Sequence, residues 1–108
     1  MLNTLKKLFN GSETINYSQL VKAGAQIVDV RTPGEFSSGH IKGSINIPLQ
    51  NLSAGLNKIR KDQVVITCCA SGMRSATAKN ELLQNGFIEV HNGGGWENLE
   101  YYLKNNSI

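Results

Sequence analysis

The 108-residue chain contains no stretch of about 18 apolar residues, which excludes a membrane-spanning helix. Its opening residues, MLNTLKKLFNGS, carry two lysines but lack the apolar core that a secretory leader needs. A reducing cytoplasm is the expected compartment, with no membrane partner. Cysteine is scarce: Cys68 and Cys69 are the only two, too few for a disulfide framework. Being adjacent, they are poor partners for each other, because Cα atoms about 3.8 Å apart fall short of the roughly 4.4–6.8 Å that an unstrained bridge prefers. Both are expected as free thiols. Histidine is equally scarce, and His40 and His91 lie far apart, which argues against a zinc site. A strong excess of one charge is also missing. Eleven Lys plus Arg against eight Asp plus Glu leave +3, and Lys6, Lys7, Lys58, Arg60 and Lys61 are scattered rather than gathered into one run. Such a surface favours small anionic substrates or partners and argues against nucleic acid. No repeat, linker or low-complexity segment interrupts the chain, and 108 residues with 40% hydrophobic content suit one compact domain. That domain is expected over residues 1–108, with a core at about 14–104 and an N-terminal extension over 1–12.

Helical and strand signals alternate between short punctuation, which argues for an α/β domain. Thr14-Ile15 reads as a brief edge strand, and Asn16 as the N-cap of a short helix carrying Tyr17, Leu20 and Val21 and closed by Gly24. IVDV at 27–30 is an apolar strand with a carboxylate embedded in it. In the TPGE that follows, Thr32 is the N-cap, Pro33 the first helical residue and Glu35 the third, a capping box opening a helix that Gly39 ends. SINIPL at 44–49 is a strand stopped by Pro48, and Leu52, Leu56 and Ile59 then share a helical face. VVIT at 64–67 is unbroken and rich in β-branched residues, as expected of a central strand covered on both sides. From Arg74 to Gln84 the composition is helical, with Ala78, Leu82 and Leu83 apolar and Asn85-Gly86 as a stop. FIEV at 87–90 reads as the last of five strands and NGGG at 92–95 as a flexible turn, while Trp96, Leu99 and Leu103 mark a closing helix.

The chemistry concentrates in CASGMR, residues 69–74, between the VVIT strand and the helix that follows. A chain that leaves a buried strand and enters a helix within so few residues must curl, and the curl turns consecutive backbone N–H groups toward one point. The helix N-terminus adds unpaired N–H groups and the positive end of its dipole. A thiolate in that cup has its pKa depressed from the roughly 8.5 of a free cysteine. Gly72 suits a curl that needs positive φ or close approach. Arg74 either presents a planar fork to an oxyanion or braces the helix start against a carboxylate, and the two roles are compatible. Ser75 reads as an early-helix hydrogen-bonding residue. Against all of this stands the bland alternative, that a cysteine ending a strand is only a small buried hydrophobe.

Three motifs in series carry a family likeness. CASGMRS, followed by a helix and LLQNGF, resembles the active-site region of single-domain rhodaneses, the sulfurtransferase family. IVDVRTPGEFSSGHIKGSINIPL at 27–49 is similar to that family's other hallmark segment, and NGGGWENL to its glycine-tryptophan ending. The resemblance implies a rhodanese-like α/β fold, with a central five-stranded, mostly parallel sheet and helices on both faces. It implies sulfane-sulfur transfer from thiosulfate, polysulfide or a persulfide to a thiol or cyanide. Cys69 would be the catalytic nucleophile and persulfide carrier, and Ala70, Ser71, Gly72, Met73 and Arg74 the substrate-binding loop. No metal or organic cofactor is required. The implied partners are a small sulfur donor and a thiol acceptor, a protein thiol or persulfide among the candidates, and the implied assembly is a monomer or weak dimer.

Two adjacent cysteines leave the register to be chosen. Cys68 to Arg74 is C-x5-R, the spacing of phosphatase loops, and Cys69 to Arg74 is C-x4-R, the spacing of sulfur-transfer loops. In both families the loop glycine lies three residues after the nucleophile, which points to Cys69 through Gly72. The shorter loop closes around one sulfur atom, whereas the longer one makes room for a tetrahedral oxyanion. No Asp or Glu between Asp62 and Glu81 supplies the nearby general acid that phosphatase chemistry uses. Cys68 is then expected to be packed in its strand, with a resolving redox thiol as the lesser reading. Asp29, Arg31 and His40 are read as structural, and Trp96 as a core residue or one wall of the pocket. The four uncharged residues at 70–73 disfavour a strong preference for the thiosulfate dianion. The alternatives are a persulfide carrier with little turnover and a phosphatase or arsenate reductase.

Overall fold

The computed structural model describes residues 15–105. The chain runs α1 (Tyr17–Lys22), β1 (Gln26–Asp29), α2 (Pro33–Ser38), β2 (Ile45–Asn46), a 3₁₀ stretch (Leu49–Lys58), β3 (Val65–Cys69), α3 (Met73–Gln84), β4 (Val90–Gly95) and α4 (Trp96–Asn105). Among the described residues four strands form one parallel sheet in the order β2-β1-β3-β4. The expected fifth strand at Thr14-Ile15 is not found: Ile15 has no regular structure, and Thr14, like the proposed extension over 1–12, lies outside the described residues.

Local chemistry sets the helix starts. Asn16 accepts the Gln19 N–H at 3.1 Å, which opens α1. At α2, Thr32 Oγ1 accepts the Glu35 N–H at 3.2 Å, and Glu35 Oε1 accepts the Thr32 N–H at 2.9 Å, closing the capping box around Pro33.

β3 is central and wholly buried. Because side chains alternate along a strand, its residues serve two cores. Val65 and Cys69 belong to a cluster with Leu52 and Ile59 of the 3₁₀ stretch and its C-cap, and with Ala78 and Leu82 of α3. Ile66 and Cys68 belong to another, with Leu99 of α4 and the half-buried Tyr17, Leu20 and Trp96. Helices thus cover both faces. The face shared by Leu52, Leu56 and Ile59 packs as expected, on a 3₁₀ rather than an α geometry.

The last strand departs from expectation. Of FIEV only Val90 is in β4, and Phe87 is instead a buried core residue. NGGG is not a turn but most of the strand, pairing with β3 as far as Cys69 opposite Gly95. Gly93 is there for close approach, since a Cβ on it would lie 2.8 Å from Ile66 Cγ2 and 2.9 Å from the Thr67 carbonyl oxygen. Gly93→Ala is expected to lose about 1–3 kcal/mol, read as a lower urea midpoint with an unchanged slope.

Candidate active site

Cys69 is the last residue of β3, and α3 begins four residues later at Met73. Gly72 occupies the N-cap of α3 with φ 111° and ψ −11°, a left-handed conformation open to glycine. It has no side chain to accept the first helical N–H groups, and the sulfur takes that place. Cys69 Sγ accepts the Gly72 N–H at 3.0 Å and the Ser75 N–H at 3.3 Å, and contacts Ser75 Oγ at 3.5 Å. Burial pushes the Cys69 thiol up, but bonds from the backbone N–H groups of Ser75, Gly72 and Ser71 to the sulfur act against it. The net shift is below the ordinary thiol value. The dipole of α3 acts in the same direction.

The other loop residues frame this sulfur. Ala70, Ser71 and Met73 are exposed, Met73 by 80% of its surface, and Gly72 is half-buried. Arg74 does not point its fork at the sulfur. Its Nη1 and Nη2 donate to Glu35 Oε1 and Oε2 at 2.8 and 3.0 Å, a bidentate pair between α3 and α2. That guanidinium, with the Thr32 bonds, holds the Glu35 carboxyl down at about 2. A depressed carboxylate contributes fully above its ordinary range and loses that contribution only as pH falls toward 2, so the clamp is intact wherever a thiolate exists. A cleft of about 230 Å³ is lined by Val30, Thr32, Pro48, Leu49, Gln50 and Arg74.

Cys68 faces the other way. It is fully buried, and burial with the nearby Asp29 carboxylate pushes its thiol up to about 12. Both cysteines are free thiols. Asp29 and Arg31 form a buried ion pair, and His40 stacks on Phe36 with ring centroids 3.7 Å apart, while its Nδ1 bonds the Phe36 carbonyl at 2.7 Å. His91 bonds Glu89 at 2.7 Å. Trp96 packs under the Arg31 guanidinium, 4.7 Å from the ring centroid. Among the described residues, no three His, Cys, Asp or Glu side chains gather to hold a metal, and no helix is long and apolar enough to cross a membrane.

Two site residues escaped the sequence reading. In the sequence Glu35 reads only as a helix cap, and its pairing with Arg74 spans 39 positions. Asn92 lay in the supposed turn, yet its side chain bonds Ser75 and Gly94 and reaches the Gly72 carbonyl.

The family model for the rhodanese-like domain matches residues 13–100. The chain belongs to the rhodanese-like family. Similar proteins include the uncharacterized Bacillus subtilis protein YqhL, 46% identical over 68 residues, a match covering 63% of this chain and 54% of YqhL. The thiosulfate sulfurtransferase PspE of Escherichia coli is 32% identical over 85 residues, covering 77% of this chain and 82% of PspE. A solved rhodanese with anions from E. coli superposes with a TM-score of 0.65 at 32% identity, covering 68% of this chain and 89% of that one. This rhodanese-like chain therefore spans about half the length of YqhL and most of PspE. The α/β fold and the sulfurtransferase family expected from the three motifs both stand.

Proposed function

We propose that the protein is a sulfurtransferase working through a persulfide on Cys69. The observation that carries this reading is the position of Cys69 Sγ as acceptor of the Gly72 and Ser75 N–H groups at the start of α3. That arrangement favours the thiolate and stabilises negative charge on sulfur through transfer. The thiolate attacks the sulfane sulfur of the donor, a sulfur–sulfur bond forms, and the donor's own bond to that sulfur breaks. With thiosulfate, sulfite leaves with the electron pair. An acceptor thiolate or cyanide then attacks the outer sulfur, and the Cys69 thiolate departs regenerated. No net oxidant is needed.

The donor is the open element. Residues 70–73 carry no charge, and Arg74 is engaged by Glu35, so nothing in the loop offers a free cation to a dianion. The apolar lining of the cleft beside Arg74, from Val30, Pro48 and Leu49, suits the carbon portion of an organic persulfide. We therefore assign polysulfide or an organic persulfide as the better donor and thiosulfate as a slower one, with a small or protein thiol as acceptor. Steady-state transfer to cyanide from each donor tests this. The expected result is turnover with both and a higher kcat/KM for polysulfide. A Cys69 persulfide that cyanide does not discharge, and that only a protein thiol removes, would overturn turnover catalysis in favour of a carrier.

A further inference from the structure

Ser75 has one hydroxyl proton and three acceptors around its Oγ: Asn92 Oδ1 at 2.6 Å, the Gly72 carbonyl at 3.0 Å and Cys69 Sγ at 3.5 Å. The orientation of Asn92 is fixed independently, because its Oδ1 also accepts the Gly94 N–H at 2.9 Å, which the amide nitrogen cannot do. Two oxygens 2.6 Å apart need a proton between them. Asn92 Oδ1 has none to give, so the Ser75 proton lies on the Asn92 side. Ser75 Oγ consequently turns lone pairs toward Cys69. A protonated Cys69 fits by donating its S–H to that oxygen, whereas a thiolate faces lone pairs until the hydroxyl rotates away from Asn92. Ser75 is completely buried, so its hydroxyl has no bulk water as a substitute partner.

We infer that Asn92 is a positioning residue: by holding the Ser75 hydroxyl proton, it sets the balance between thiol and thiolate at Cys69. The inference rests on Cys69 being the reactive thiol, as proposed above. Its chemical sense is that a thiol whose pKa stays near the working pH attacks faster than one pushed far below it, since nucleophilicity falls with pKa. The titratable and charged groups around the sulfur are Arg74 of α3 with its partner Glu35 of α2, Cys68 of β3, and the Asp29–Arg31 pair at the end of β1. On β4 the nearest is His91, bonded to Glu89. All of them remain in the variants that test the inference.

The measurement is the pH dependence of Cys69 alkylation by iodoacetamide, with the adduct located by peptide mass, in wild type, Asn92→Ala, Ser75→Ala and the double variant. Asn92→Ala should lower the apparent Cys69 pKa by about half a unit to one unit, roughly threefold to tenfold in thiolate fraction below the pKa. In the Ser75→Ala background the same substitution should cause no shift. Asn92→Asp keeps both acceptor contacts and should raise the pKa, more in the Ser75 protein than in the Ser75→Ala background; this arm decides the matter if Asn92→Ala does not fold. An unchanged or raised pKa in Asn92→Ala, or equal shifts in both backgrounds, would overturn the inference. Alkylation needs no sulfur donor, so this result and the fate of the sulfur-transfer reading are separable.

Discussion

Replacing Cys69 with serine is expected to reduce sulfur transfer by at least about a thousandfold, because a serine hydroxyl at neutral pH is neither ionised nor able to carry sulfane sulfur. The substitution keeps an acceptor for the Gly72 and Ser75 N–H groups, so the loop should hold its shape. Cys68→Ser is expected to behave in the opposite way. Cys68 points into the core formed by Ile27, Ile66 and Leu99, and with its thiol pushed up to about 12 it supplies almost no thiolate at neutral pH. Its hydroxyl replacement enters an apolar site at a stability cost of about 1–3 kcal/mol, while the folded fraction should transfer sulfur within about twofold of wild type. Steady-state transfer assays with urea titrations of both variants check the pair. Comparable loss of transfer in the two would remove the distinction that strand alternation draws between neighbouring cysteines.

The second large effect concerns stability. Asp29 is fully buried and Arg31 is 4% exposed. The Asp29 carboxylate accepts from Arg31 Nε at 2.9 Å and from Nη2 at 2.7 Å, as well as from the Arg31 backbone N–H at 3.0 Å. Arg31 in turn donates to the Glu35 carbonyl at 3.2 Å and the Gly39 carbonyl at 2.7 Å, tying both ends of α2 to the sheet. Asp29→Ala leaves a buried guanidinium without its counter-charge, and the expected loss is about 3–5 kcal/mol. Replacing both partners with apolar residues should cost less than the single change, because no buried charge is then stranded. The same staple positions Glu35, which clamps Arg74, so Asp29→Ala should also lower transfer at least to the fraction that remains folded. Urea denaturation measures the effect, and a loss under about 1 kcal/mol would mean that the pair contributes little.

What could be read from sequence follows the range of the interaction. The capping box of Thr32 and Glu35 and the cap at Asn16 involve residues three apart, and both appear as read. The opposed fates of Cys68 and Cys69 follow from strand alternation once VVIT is taken as a buried strand. NGGG looks like a turn because glycine runs usually mark turns, whereas Gly93 lets β4 pass close to β3 and α4, a requirement that only the folded chain creates. Arg74 remained undecided between substrate and brace because its partner lies 39 positions away. Asn92 gave no signal at all, since its link to Ser75 depends on where β4 ends against the loop.

The most direct test of the central claim is to expose the wild-type protein to polysulfide, then locate the added mass of about 32 Da, one sulfur atom, by peptide mapping under non-reducing conditions. The account predicts the sulfur on Cys69, its loss on adding cyanide, and its absence from Cys69→Ser but not from Cys68→Ser. Sulfur on Cys68, or no adduct with polysulfide, thiosulfate or an organic persulfide, would contradict it.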